Sequence, residues 1–179
     1  MKILTLKQKI ILLYKKLRYL KDKYRTYKLF KDTLGMYESS GDYSVVNTIG
    51  YMGKYQFGMA RLCDLGYTGR IAGTTNYKHS SFRWVAGLSQ ELFLYSPKLQ
   101  EEAFDKHFEM WKDYITRKYN HRIGDIVNGV ELTVATMFIS CNFGGAGGLS
   151  SVIMGQNPHD TYGGGTVEYM KKFEHFDLL

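Results

Sequence analysis

Few residues in this 179-residue chain combine a reactive side chain with a setting that would use it, and Glu38 is the first of them. It follows Tyr27, Phe30, Leu34 and Tyr37, whose spacings of three and four predict a helix. Ser39-Ser40-Gly41 should end that helix, which puts Glu38 in its last turn. A carboxylate there meets the negative end of the helix dipole, and an aromatic pocket would add desolvation; both favour the protonated form. Such a group is expected to give a proton to a leaving oxygen and, once ionised, to take one back. Two other acids lie near it in sequence. Asp42 is expected to cap its own Ser-Gly-Asp-Tyr turn through an Asx bond, and Asp64 to end the amphipathic segment Arg61-Leu-Cys-Asp-Leu-Gly66. No other acid has a compelling place beside Glu38.

The elements that must hold Glu38 follow from periodicity. Residues 98–119 carry Leu99, Ala103, Phe104, Phe108, Trp111 and Ile115 at helical spacing, with His107 expected on the polar face or as a satisfied histidine. Residues 130–142 predict a second helix, apolar all round and so buried, with Gly144 to Gly148 ending it. Residues 38–58 are dense in Gly, Ser and Tyr and read as a loop or short hairpin. Residues 67–90 set Tyr67, Tyr77, Phe82 and Trp84 among Gly, Ser, Thr and Asn. Rings and amides on loops suit sugar recognition, because a ring face packs on a pyranose while amides bond its hydroxyls. For Trp84 that reading stands beside a plainer one, an anchor for a surface loop. Gly163-Gly164-Gly165 is a turn before a short terminal helix from Thr166 to Phe173.

Glu38-Ser39 followed by Gly53-Lys54-Tyr55-Gln56 resembles the Glu-Ser and Gly-Leu-Met-Gln motifs of the lysozyme-like lytic transglycosylases, enzymes that cut the glycan strands of bacterial peptidoglycan. The longer strings Tyr37 to Tyr43 and Gly50 to Gly58 look like a subgroup found in phage and secreted-effector muramidases. Cys141-Asn142-Phe143-Gly144-Gly145-Ala146-Gly147-Gly148-Leu149 is similar to the Ala-Tyr-Asn-Ala-Gly-x-Gly motif of the same superfamily, with Asn142-Phe143 where the family has Tyr-Asn. The resemblance spans roughly residues 30–176. It implies a mainly α, lysozyme-like fold with a small loop or β-hairpin region beside a cleft. Glu38 would be the catalytic acid/base, Ser39 and Gln56 would line the cleft, and Tyr55 would stand against the sugar. Trp84, Asn142 and Phe143 complete the expected substrate contacts. The mechanism it implies needs no metal and no cofactor: the glutamate protonates the glycosidic oxygen, the muramic N-acetyl group assists, and the product is a 1,6-anhydro sugar. Water in place of the sugar hydroxyl would make the same scaffold a hydrolytic lysozyme. A non-catalytic wall-binding or phage structural module is the alternative from another class.

Charge divides the chain into residues 1–31, a cationic amphipathic helix, and residues 32–179, the catalytic domain. The overall net charge is +7, but residues 1–31 hold eleven Lys or Arg against the single acid Asp22, a local net of +10; the remainder is at −3. Within the arm Ile3, Leu6, Ile10, Leu13, Leu17 and Leu20 recur at helical spacing. Three readings stay open for it: a solvated helix packed on the domain, a helix docked on an anionic membrane surface, or a nucleic-acid binder. No recognisable nucleic-acid module accompanies the charge, so nucleic acid is not an expected partner. A protein acting on membranes through this arm alone is a further rival. The apolar stretch Ile10 to Tyr14 runs into Lys15-Lys16, which fits no cleavable signal. Action in the periplasm or cell wall is then expected to need delivery by a phage lysis or injection apparatus or by specialised secretion, with an immunity protein as a conceivable partner.

At 44% hydrophobic and 15% aromatic the chain can build a core, which excludes wholesale disorder. Lys15, Lys16 and Arg18 break the longest apolar run, so no membrane-spanning helix is expected. Cys63 and Cys141 are too few for a disulfide scaffold and lack zinc-ligand spacing; small buried residues are expected.

Overall fold

The computed structural model describes residues 6–76, 78–159 and 163–178. Ile3 and Tyr77 lie outside the described residues, as does the side chain of Leu6. The described chain is mainly helical, with two small antiparallel sheets. Asp32–Arg122 form one compact unit; the chain up to Lys31 and from Ile123 onward forms the other, and α1 contributes to both.

Helix α1 is Leu6–Ser39, longer than the arm and the Glu38 helix taken separately, because no proline interrupts it and Gly35 is tolerated in its interior. It stops where expected. Ser40 (φ 57°) and Gly41 (φ 80°) take left-handed backbone, the Ser40 N–H donating to the Met36 carbonyl (3.1 Å) and the Gly41 N–H to that of Gly35 (3.0 Å).

In the central unit α2 (Met59–Asp64) leads into the hairpin β1 (Thr68–Arg70) and β2 (Phe82–Trp84), paired with Thr68 opposite Trp84 and Arg70 opposite Phe82. A short helix α3 (Gln90–Leu94) precedes α4 (Pro97–Tyr119), each started by a serine, Ser89 or Ser96, whose hydroxyl accepts an N–H of the first turn. The apolar stripe of α4 is buried as its spacing predicts, Leu99 remaining half-buried. Of the two expectations for His107 the polar-face one fails: it is buried, its ring meeting Phe57 edge-on at 5.7 Å and Trp111 at 6.4 Å. Phe93 gathers Phe57, Tyr67 and Trp84 around it at 5.6–6.2 Å, so the hairpin packs on this core through Trp84 and through Tyr67 just before β1.

In the other unit β3 (Ile126–Val127) and β4 (Val130–Glu131) form a two-residue hairpin ahead of α5 (Val134–Ile153). The second predicted helix thus begins later than residue 130, where Thr133 and Thr136 form a capping box. It also does not end at the glycine run. Gly145 alone leaves the helix, at φ 63° and ψ −160°, a region essentially restricted to glycine, and the chain resumes helical geometry to Ile153. Helix α6 (Thr166–Lys171) follows. Phe30 is fully buried here, edge-on to Phe138, Phe173 and Phe176 at 5.4–5.6 Å. Cys141 is buried and Cys63 half-buried, and no disulfide joins them.

Candidate functional site

Glu38 sits in the last turn of α1, half-buried, as its sequence position predicts. What fastens this helix end is a turn fifteen residues on. Met52 and Phe57 exchange both backbone hydrogen bonds (3.1 and 2.8 Å), closing residues 53–56 into a tight loop. Gly53 (φ 73°) and Gln56 (φ 47°) take left-handed backbone within it. Glycine is required at 53 on two counts, since a side chain there would be strained and its Cβ would enter the carboxamide of Gln100. The Ser39 hydroxyl lies 2.9 Å from the Lys54 carbonyl and 3.3 Å from that of Gly35, and the shorter contact is the one that ties helix end to turn.

Gln100, fully buried on α4, holds the turn from the other side. Its Oε1 accepts from the Lys54 N–H (2.9 Å), and its Nε2 donates to the carbonyls of Tyr43 and Phe93 (2.8 Å each). Every strong donor and acceptor of the amide is used, which is what lets a polar side chain sit in an apolar interior.

Beneath the turn lies an ionic cluster. The Lys54 ammonium donates to Asp32 Oδ1 (3.0 Å), Glu101 Oε1 (3.0 Å) and the Tyr43 hydroxyl (3.2 Å). Glu101 Oε1 also accepts from the hydroxyls of Tyr43 and Tyr55, each at 2.7 Å. Burial would push the Lys54 ammonium down, but its bonds to Glu101, Asp32 and Tyr43 outweigh that and hold it above its ordinary value. Burial, with the Glu101 carboxylate as acceptor, pushes the Tyr55 phenol far up and raises that of Tyr43. The lysine stem crosses α1 at Gly35, whose missing side chain makes the room.

The residues assigned to substrate therefore fare differently. Ser39 is spent on the backbone of the turn. Gln56 folds its own Nε2 onto the Gly53 carbonyl (3.0 Å). Tyr55, expected against a sugar, is buried with its ring 4.2 Å from that of Phe104 and its hydroxyl on Glu101, so no ring face is left for a ligand. Trp84 is half-buried at the end of β2, its ring 5.6 Å from Phe93. Asn142 and Phe143 belong to the other unit, on α5 just before the Gly145 break, both half-buried, with the Phe143 ring 6.0 Å from Tyr169. The structure thus joins Glu38 and Ser39 to the Gly53–Gln56 turn and places Asn142 and Phe143 in a separate unit.

The neighbouring acids have structural work. Asp42 Oδ1 accepts from the N–H and hydroxyl of Ser44 (2.7 Å each), which hold the carboxyl below its usual value, and Asp64 pairs with Arg61 at 3.0 Å. Asn47, likewise, receives the N–H groups of Ile49 and Tyr51. Sequence reasoning missed Asp32, Tyr43, Gln100 and Glu101. A signal existed for the last: Glu101 precedes Phe104 and Phe108 by three and seven, which puts an acid on the buried stripe of α4. Comparison of the chain with protein-family models, with curated proteins and with solved structures gives no match.

Proposed function

We propose that this chain cleaves the peptidoglycan glycan strand between N-acetylmuramic acid and N-acetylglucosamine, on a lysozyme-like scaffold, with Glu38 as its one acid/base. The observation that carries the reading is the 2.9 Å bond from Ser39 to the Lys54 carbonyl, which fastens the helix end bearing Glu38 to the Gly53–Gln56 turn. Two motifs that resemble one enzyme family separately in the sequence are thereby one structural piece. Asp42 and Asp64 are engaged elsewhere, which favours a mechanism needing one carboxylate.

In that mechanism Glu38 gives its proton to the glycosidic oxygen as the bond to the anomeric carbon breaks. The N-acetyl oxygen of the muramic sugar takes the place of a protein nucleophile at that carbon. Glu38, now ionised, removes the proton of the sugar's own 6-hydroxyl, whose oxygen attacks the anomeric carbon, displaces the N-acetyl oxygen and closes the 1,6-anhydro ring. Peptidoglycan, in the periplasm or cell wall, is the partner this chemistry requires.

The test is mass spectrometry of soluble products from purified peptidoglycan incubated with wild type and with Glu38→Gln. Anhydro-muropeptides from wild type, reduced about 10²–10⁴-fold in the variant, are the expected result. Reducing-end products with the same dependence on Glu38 would make the chain a hydrolase. Equal products from both proteins, or none from either, would overturn the proposal.

A further inference from the structure

We propose that residues 9–29 of α1 dock flat on an anionic lipid surface. The inference is independent of the glycan reading. Ile10, Leu13, Tyr14, Leu17, Leu20 and Tyr24 follow one another at helical spacing and so share a face, yet each is between 49% and 69% exposed. The contrast lies within the same helix: Phe30, further along α1, is fully buried among three phenylalanine rings. A stripe of that size in water is a surface awaiting a partner.

Charge identifies the partner. Lys9, Lys16 and Lys23 border the stripe on one side and Arg18 and Arg25 on the other, Lys21 and Lys28 fall within it and Lys15 lies opposite, and Asp22, 4.0 Å from Arg18, is the only acid in the segment. A second copy of the helix would cover the apolar face by bringing a second set of eight cations against the first. A nucleic acid would neutralise the cations and leave the leucines wet. A bilayer carrying anionic headgroups satisfies both, since its boundary region takes aliphatic side chains and tyrosine rings while its phosphates meet the lysines. No described helix is long and apolar enough to cross a membrane, so the helix would lie along the surface.

The experiment uses the full chain sedimented with vesicles of phosphatidylcholine alone and of phosphatidylcholine mixed with phosphatidylglycerol. Wild type should pellet with the mixed vesicles only, and less so as salt rises. Leu13→Glu/Leu17→Glu should lose this binding. Lys16→Gln/Arg18→Gln should weaken it about 25-fold, each cation at such a surface contributing a factor of about five. All four positions are exposed, and circular dichroism checks that the variants keep their helix. Equal binding to both vesicle types, binding to neither, or retention by the leucine variant would overturn the proposal. So would a dimer in light scattering that the leucine variant dissolves, which would assign the face to a second copy. Binding of duplex DNA without vesicle binding would assign it to nucleic acid.

Discussion

Replacing Lys54 with methionine isolates the ionic cluster from everything else that holds the Glu38 helix end. Methionine keeps most of the stem that crosses Gly35, and the backbone carbonyl that receives Ser39 is unchanged, so the variant removes the ammonium and little more. The size of the effect depends on how much water reaches the cluster. The Lys54 side chain is 8% exposed, but those of its partners Asp32 and Glu101 are 43% and 30% exposed. Breaking a fully buried pair costs about 3–5 kcal/mol, whereas an exposed pair is worth at most about 1 kcal/mol. A buried cation between half-solvated carboxylates lies between these limits, and about 2–3 kcal/mol is expected. For a chain of this length that lowers Tm by roughly 4–12 °C. Glu101→Gln should cost less, about 1 kcal/mol, because its remaining oxygen still accepts from Tyr43, Tyr55 and Lys54. The double variant should cost less than the two singles together, since it no longer strands the Glu101 charge. Urea unfolding of all four proteins measures these differences. A Lys54→Met cost below about 0.5 kcal/mol would show the cluster to be solvent-screened and the reasoning wrong.

The same cluster predicts alkaline lability. Lys54, Tyr43 and Tyr55 all hold their protons more tightly folded than unfolded, so their contribution is full below the ordinary tyrosine and lysine range and is lost as pH rises through it. The urea midpoint should fall above about pH 10, less steeply in Lys54→Met, and a flat profile would contradict the assignment. Gly35→Ala should destabilise although alanine is the better helix former by about 1 kcal/mol. Its Cβ would stand 2.5 Å from Lys54 Cε and 2.7 Å from Cγ, and the ion pairs pin that stem, so a net loss of about 1–2 kcal/mol in thermal melts is expected; a gain would show that Lys54 can move aside.

Local signals account for what was legible in the chain. The α1 stripe, the Ser-Ser-Gly stop after Glu38 and the Asp42 turn all depend on residues within a few positions of one another, and they appear where expected. The hydrophobic face of α4 is equally local. Glycine composition was a poorer guide on α5. Four glycines in residues 144–148 suggested a stop, but the backbone uses only Gly145 in a conformation reserved for glycine. Gly148 serves packing instead, since a Cβ there would meet the Ser140 carbonyl at 3.3 Å. The ionic cluster was illegible because Glu101 lies 46–58 residues from its partners Tyr43, Lys54 and Tyr55, Asp32 lies 22 from Lys54, and all belong to types that also populate surfaces. Tyr55 shows the consequence: a tyrosine beside a motif glutamine can face a ligand or the core, and only the long-range partner Glu101 decides.

Under the glycan-cleaving proposal, that distribution of roles would make Ser39, Tyr55 and Gln56 part of the support of Glu38. Ser39 and Gln56 direct their polar atoms to backbone carbonyls, and Tyr55 directs its hydroxyl to Glu101. Of the three only the buried Tyr55 is closed to a sugar, since the Ser39 oxygen can still accept and Gln56 keeps its Oε1 and a second Nε2–H. Under that proposal, their substitution should disturb the position of Glu38 and the stability of the turn. Within this unit the half-buried Trp84 at the end of β2 would add to recognition of the sugar. A glycosidase built so needs a turn that is rigid before substrate arrives, because a single carboxylate has no second protein group to correct its aim. Lys54, held by two acids and a phenol beneath that turn, supplies the rigidity.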